Sequence, residues 1–372
     1  MKSFNINIKR LSSFVSIIFL ALIITSCASG PPSIEFNVLE PAEINMSKYR
    51  NIAVPSTVSY KKWNYSYSNS YIPFRLGSYY DYNNFRLLPY SGYQTPLPDS
   101  LAAYTNEILV SALRRTNYFN TVLSGSTADN IYNIITIPGV SYGDVIEANN
   151  IDAFITSEVT KMNLNEYLDV DPVYEWETYK DKNGVERRRR VVVYYIYTLY
   201  QKVTVGVTYN VVDARTRRVI ASRTVEDSTS KSTTVYPYTI YAPSVLPYYK
   251  GLLNNLNSSV LRSLSPHKVS KVEKLMANDP ELKAYEDAWE LAKNNYLVAA
   301  RDRFYLAWKQ EKHLPSGYNA AVIYYANGDY KSAISLLEEV YSYTHSGEAA
   351  LKLSEVRALK ESNDRAEAQL KQ

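Results

Sequence analysis

The chain has 372 residues, with 41 Lys plus Arg against 37 Asp plus Glu and a single cysteine. With the three basic residues of its first ten positions set aside, the two signs balance to within one charge, which excludes nucleic-acid binding driven by bulk charge. One thiol excludes an intrachain disulfide, and the 12 glycines include no Gly-rich phosphate loop, so a nucleotide-binding reading lacks its motif.

At the N-terminus, Lys2, Lys9 and Arg10 flank an apolar run over residues 11–24. That run is too short to cross about 30 Å of hydrocarbon as a helix. Ile24-Thr25-Ser26-Cys27 follows, and it resembles the lipobox of bacterial lipoproteins, which is cut before the cysteine. The resemblance implies a signal peptide over residues 1–26, acyl chains such as palmitate on Cys27, and a protein held on the bilayer without spanning it. An ordinary secretory signal or an anchor helix is the alternative. Residues 27–33 read as a tether, with Gly30, Pro31 and Pro32. Ala28 stands where an aspartate would resemble an inner-membrane retention signal, and no acidic cluster follows, which points to the periplasm-facing side of the outer membrane.

Residues 34–265 carry an αβ pattern. Strands are predicted over 34–39 and 51–54, and a helix over 101–116, where Leu101, Tyr104, Ile108, Leu109, Ala112 and Leu113 recur at helical spacing. A strand at 118–123, a short helix at 141–149 and strands at 151–159, 191–212 and 219–225 come next. A helix at 248–264 is stopped by Ser265-Pro266. This order predicts a mixed β-sheet with packed helices. An insertion at about 58–98 is dense in tyrosine. Tyr65, Tyr67, Tyr79, Tyr80 and Tyr82 are its candidate ligand face, since rings with a polar tip suit sugars, peptides and wet interfaces; a loop packed on its own domain is the plainer alternative. Asp181-Lys182-Asn183-Gly184 predicts a hairpin turn. Arg187 to Arg190 follow it, and on a strand two of the four point each way. They would meet anionic headgroups or an acidic partner, or form a solvated edge that discourages strand pairing.

The strings RNIAVPS, LVSALRRTNYFNTV, IDAFITSEVTKMN and VTVGVTYNVVDARTRRVIASRTV, within about residues 50–265, resemble the αβ domain of the curli-secretion lipoprotein and of the lipoprotein activators of penicillin-binding proteins. Ser157 departs from that pattern, which has glycine there. FNVLEPAEINMSKYRNIAV, residues 36–54, resembles the opening of a family of envelope lipoproteins, common in Bacteroidetes, in which such a domain precedes tetratricopeptide repeats. This resemblance implies architecture and carries no mechanism.

Over residues 266–372 the composition turns to Ala, Leu, Glu and Lys, and an all-α tetratricopeptide-like module is predicted. At a period of 34, Asn294-Asn295-Tyr296 aligns with Gly328-Asp329-Tyr330 and Ala299 with Ala333. Asn319, Tyr324, Tyr325 and Tyr330 are repeat-motif positions, mostly structural, on a module expected to bind a protein partner. Residues 348–370 are expected to cap it. Two ordinary helical hairpins are the alternative.

No catalytic residue, cofactor or metal site is predicted. His267, His313 and His345 lack ligand spacing, no serine sits in G-x-S-x-G, and Asp213 is better read as a turn residue than as one of a carboxylate set with Asp152 and Glu158. The chain as a whole is therefore read as α+β and non-enzymatic. Its expected partners are the bilayer, through acylated Cys27, and a protein, through the repeats, with no nucleic acid. An adaptor or assembly factor of the envelope is the leading reading, an oligomeric secretion or pore component the second, and a glycan-binding or glycan-processing protein the third.

Overall fold

The computed structural model describes residues 32–61, 64–69, 97–139, 141–235, 242–278 and 281–371. It is an α+β structure with an all-helical region toward the C-terminus. In chain order the elements are β1 (Ser33–Glu40), β2 (Asn51–Val54), β3 (Asn64–Asn69), α1 (Leu97–Arg115), β4 (Thr121–Ser124), α2 (Ser126–Thr136), α3 (Gly143–Ala148), β5 (Ala153–Lys180), β6 (Glu186–Asp213) and β7 (Val219–Val235). Then come α4 (Leu246–Leu264), β8 (His267–Lys274), α5 (Lys283–Lys293), α6 (Leu297–Glu311), α7 (Leu314–Ala326), α8 (Tyr330–Thr344) and α9 (Gly347–Lys371). They divide into an αβ unit, residues 41–267 with those from 368 on, and a helical unit, residues up to 40 with 268–367.

The αβ unit is built on a six-stranded sheet of order β4-β2-β5-β6-β7, with β3 also paired to β5. β2 runs parallel to β4 and β5, while β5, β6 and β7 are antiparallel to one another. Alternation along the strands sends side chains to two apolar layers. Ile52, Val54, Ala153 and Ile155 pack with Leu101, Leu109 and Leu113 of α1 and with Tyr249, Leu253 and Val260 of α4. Ala53 and Phe154 face the other way, against Ala128, Ile131 and Ile135 of α2 and Ile146 of α3. A β2 buried on both faces explains why its sequence is a continuous apolar run. A bulge between Val159 and Lys161 resets the alternation, so that Met162 and Leu164 return to the main core.

The chain segment after β2 keeps following β5. Val58 bridges Glu158, and β3 lies parallel to residues 163–168 of β5. The start of the tyrosine-rich insertion is therefore a sheet strand rather than a loop.

The helical unit is a succession of antiparallel neighbours, α5 to α8, followed by α9. Gly328, at φ 85°, makes the turn from α7 to α8, a conformation that glycine adopts without strain. Ala321 and Ala333 are fully buried where the two helices approach. One boundary differs from the sequence reading. β1 pairs with β8, outside the αβ sheet, and its alternate residues Ile34, Phe36 and Val38 bury among the helices. An isolated strand is assigned by which apolar surface covers its buried side, and here that surface is helical. Sequence reading also missed β8, the helix α2 and the full length of β5 and β7.

Candidate functional site

The longest feature of the αβ unit is the β5–β6 hairpin. Beyond Leu168 and Tyr197, β5 and β6 pair only with each other among the described residues. Among the described residues, 170–180 and their partners thus form a two-stranded ribbon of about 11 residues, roughly 35 Å at about 3.3 Å per residue. The Asp181–Val185 turn closes it. Gly184 has φ 77°, and the Asp181 carboxylate accepts from the backbone N–H of Asn183 and Val185 and from Arg187. These bonds hold the Asp181 carboxyl below its ordinary pKa, the Val185 N–H contributing most.

A core-facing apolar set, Leu168, Tyr197 and Leu199, with Val170 and Tyr195 partly buried against it, runs up one face of the ribbon. Past it the ribbon leaves large side chains in water. Trp176 is 67% exposed, Tyr194 56% and Val193 48%. Val193 sits at the register shift opposite residues 173–174, where the extra residue turns out of the ladder. The predicted division of the arginines is found. Arg189 pairs with Glu177 at 2.7 Å and Arg187 with Asp181 at 2.6 Å, while Arg188 and Arg190 point to the opposite face by alternation.

In the helical unit the repeat-motif positions serve the unit itself. Asn319 is fully buried. Its amide nitrogen donates to the Met276 carbonyl and the Tyr285 hydroxyl, both at 2.9 Å, and its oxygen accepts from the Met276 N–H at 2.7 Å. Tyr325 is buried edge-on to Phe36 of β1, with centroids 5.4 Å apart. Tyr330 is buried, and Tyr324 is half-buried beneath the Arg301 guanidinium. The inner side of α7 is thus already covered by β1 and by the segment after β8. Lys352 of α9 ties this arrangement together through Glu355 at 2.7 Å and Glu273 of β8 at 3.0 Å. Burial opposes its charge, but the two carboxylates outweigh burial and hold the ammonium above its ordinary pKa. The outer side chains Tyr296, Tyr343 and Leu351 remain exposed.

Two of the three carboxylates weighed for catalysis are occupied locally. Asp152 accepts from the backbone and side-chain amides of Asn51, and Glu158 is exposed. Asp213 holds the β6–β7 turn by accepting from the N–H groups of Arg215 and Thr216, the Thr216 hydroxyl and Tyr49. Partial burial alone would raise its pKa, but those bonds, led by Thr216, hold it below the ordinary carboxylate value. The sign follows: Asp213 adds stability above its unfolded pKa and loses it as pH falls through the lower folded value. Asp213→Asn is expected to flatten the acid limb of a stability-against-pH curve below about pH 4; an unchanged limb would remove this assignment.

His313, at the start of α7, is buried and bonds the Ser316 hydroxyl at 2.7 Å. A cavity of about 300 Å³ is lined by Ser141, Tyr142, Gly143, Ile146, Glu147 and Arg215. Among the described residues no group of three or more His, Cys, Asp or Glu is placed to hold a metal, and no helix is long and apolar enough to cross a membrane. Cys27 and Tyr79, Tyr80 and Tyr82 lie outside the described residues. Tyr65 and Tyr67 are in β3.

No family model and no curated protein matches the chain. Among solved structures it is similar to a PelC dodecamer from Paraburkholderia phytofirmans, at 12% identity over 62% of this chain and 96% of that one, with a TM-score of 0.24. It is also similar to a neuraminyllactose-binding hemagglutinin homolog from Helicobacter pylori (9% identity, 61% and 88% covered, TM-score 0.24). A third similar structure is lipoprotein GNA1162 from Neisseria meningitidis (12%, 57% and 97%, TM-score 0.21). At these scores the likenesses carry no argument about this chain's activity or partners.

Proposed function

We propose that the protein is a non-enzymatic, lipid-anchored component of the bacterial cell envelope that binds or assembles a partner chain. The lipobox-like Ile24-Thr25-Ser26-Cys27 supports the anchor. The observation that carries the binding role is the ribbon, whose Trp176, Val193 and Tyr194 stand 67%, 48% and 56% exposed. Large apolar groups clustered on one extended element favour burial against a partner. The tetratricopeptide reading of the helical unit remains part of this proposal, with one revision: α7 has its inner side filled by the chain's own strand, so the outer side chains Tyr343 and Leu351 are the partner-facing ones.

A photo-crosslinking amino acid placed in the full chain at position 193, 194, 343 or 351, activated in intact envelopes, tests the reading. A discrete heterologous adduct from 193 or 194 supports a partner on the ribbon, and one from 343 or 351 a partner on the helices. No protein adduct from any position overturns the proposal.

A second reading, an oligomeric secretion or pore component, draws support from the ribbon's length. A strand of about 9–11 residues is what a bilayer-crossing hairpin requires. In the same experiment this reading predicts a ladder of self-adducts from 193 and 194.

A further inference from the structure

The two faces of the β5–β6 ribbon carry opposite charge, and we propose that the cationic face docks on a bilayer surface bearing anionic phospholipid headgroups. Residues opposite each other across the ladder project to the same side, and every second residue along a strand shares that side. The register places Trp176 opposite Arg190, with Arg188 and Lys180 further toward the tip and Tyr174 one step behind. Glu186, opposite Lys180, is the single carboxylate on that side of the ribbon tip. The opposite side carries Glu175 and Glu177.

The cations also differ in how they are used. The carboxylates of Asp181 and Glu177 occupy Arg187 and Arg189 on the far side. Among the described residues Lys180, Arg188 and Arg190 form no ion pair. The Arg190 guanidinium, on an exposed residue, lies 4.1 Å from the centroid of the Tyr174 ring, and a guanidinium fork suits phosphate oxygens. The cations alone would suit any acidic partner. The bilayer is favoured by Trp176, 67% exposed among them, because an indole beside a cation cluster matches a surface that is anionic outside and apolar beneath. The contact is separate from an acyl anchor and independent of which partner the envelope supplies.

The test uses the full chain carrying Cys27→Ala, so that no acyl chain contributes, and compares variants that share this change. Sedimentation with vesicles of phosphatidylglycerol mixed with phosphatidylcholine is measured against vesicles of phosphatidylcholine alone. Binding is expected only to the anionic vesicles and is expected to weaken with salt. Lys180→Ser, Arg188→Ser and Arg190→Ser should each lower the partition coefficient about five-fold. Trp176→Ser should lower it as well and abolish any blue shift of tryptophan emission on binding. Arg187→Ser and Arg189→Ser, on the other face, are the controls and should have less than a two-fold effect. Equal losses on both faces, equal binding to the neutral vesicles, or binding to polyglutamate with none to anionic vesicles would overturn the proposal. All these side chains are exposed, and an unchanged thermal midpoint confirms that each variant is folded.

Discussion

Replacing Gly317 by alanine is expected to destabilise the helical unit by about 3 kcal/mol, even though the same change inside a helix normally stabilises by about 1 kcal/mol. The packing decides the sign. A Cβ at Gly317 would lie 2.5 Å from Val340 Cγ2 of α8 and 2.8 and 2.9 Å from the Trp308 ring of α6. Both neighbours are fully buried. Trp308 is held further by its indole N–H, which donates to Glu339. Neither can withdraw as the end of a flexible side chain would. Since the two units need not unfold together, the measurement is hydrogen exchange of amides in α6, α7 and α8. Protection should fall in Gly317→Ala and recover in part when Val340→Ala is added, because the second change supplies the missing volume. A more stable Gly317→Ala would mean that α6 and α8 do not close on α7 as described.

The second large effect concerns Asn319. Asn319→Ala removes three hydrogen bonds in a site with no exposure. Tyr285 already donates to the Met276 carbonyl, so that carbonyl keeps a partner. The Met276 N–H loses its acceptor, and a buried donor without one costs more than the bond is worth when made. A loss of about 3 kcal/mol is expected from the set. It should be visible as loosened amides at 275–278 and in α5, since Asn319 ties the segment after β8 to Tyr285. An effect under about 0.5 kcal/mol, as for an ordinary surface change, would show that this segment is held by apolar burial alone.

The helical unit shows how far motif reading goes. Asn319 and Tyr325 stood out because the repeat period puts them at fixed places, and those places are interior. Their neighbours were not legible. Phe36 lies almost 290 residues from Tyr325 in the chain, and no local pattern announces that a strand near the N-terminus will cover a helix near the other end. The same holds for Glu273 and Lys352. Each reads as a surface charge, and only the fold brings them within 3.0 Å and buries the lysine.

In the αβ unit, strand and helix types followed from periodicity wherever one face was buried. α1 declares itself through Leu101, Leu109 and Leu113, and β2 through an apolar run. The reading failed where the signal is weak for a physical reason. β5 from Tyr174 on alternates poorly because both faces of the ribbon tip are exposed, so hydrophobicity has nothing to sort, and β7 from Glu226 to Thr234 holds only Ser, Thr and charged residues. α2, with Asn and Thr among its isoleucines, buries Ala128, Ile131 and Ile135 in the smaller core with Ala53, Phe154, Ile146 and Val212. Of the ribbon, the sequence shows the hairpin turn, the run of arginines and the strand from Val191 on, but not the strand residues 170–180 opposite them.

The sequence by itself determined the α+β composition, the resemblance to a lipoprotein signal around Cys27, the turn at Asp181 to Gly184 and the alternation that splits the four arginines. Those are local properties, fixed by side-chain period, turn chemistry and charge. Only the tertiary structure decided that β1 belongs with the helices, that β1 and the segment after β8 cover the inner positions Tyr325 and Asn319, and that β5 and β6 run past their neighbours into a ribbon with one cationic face. Each of these depends on which distant surface supplies burial, and burial is a property of contacts between segments, which no single segment encodes.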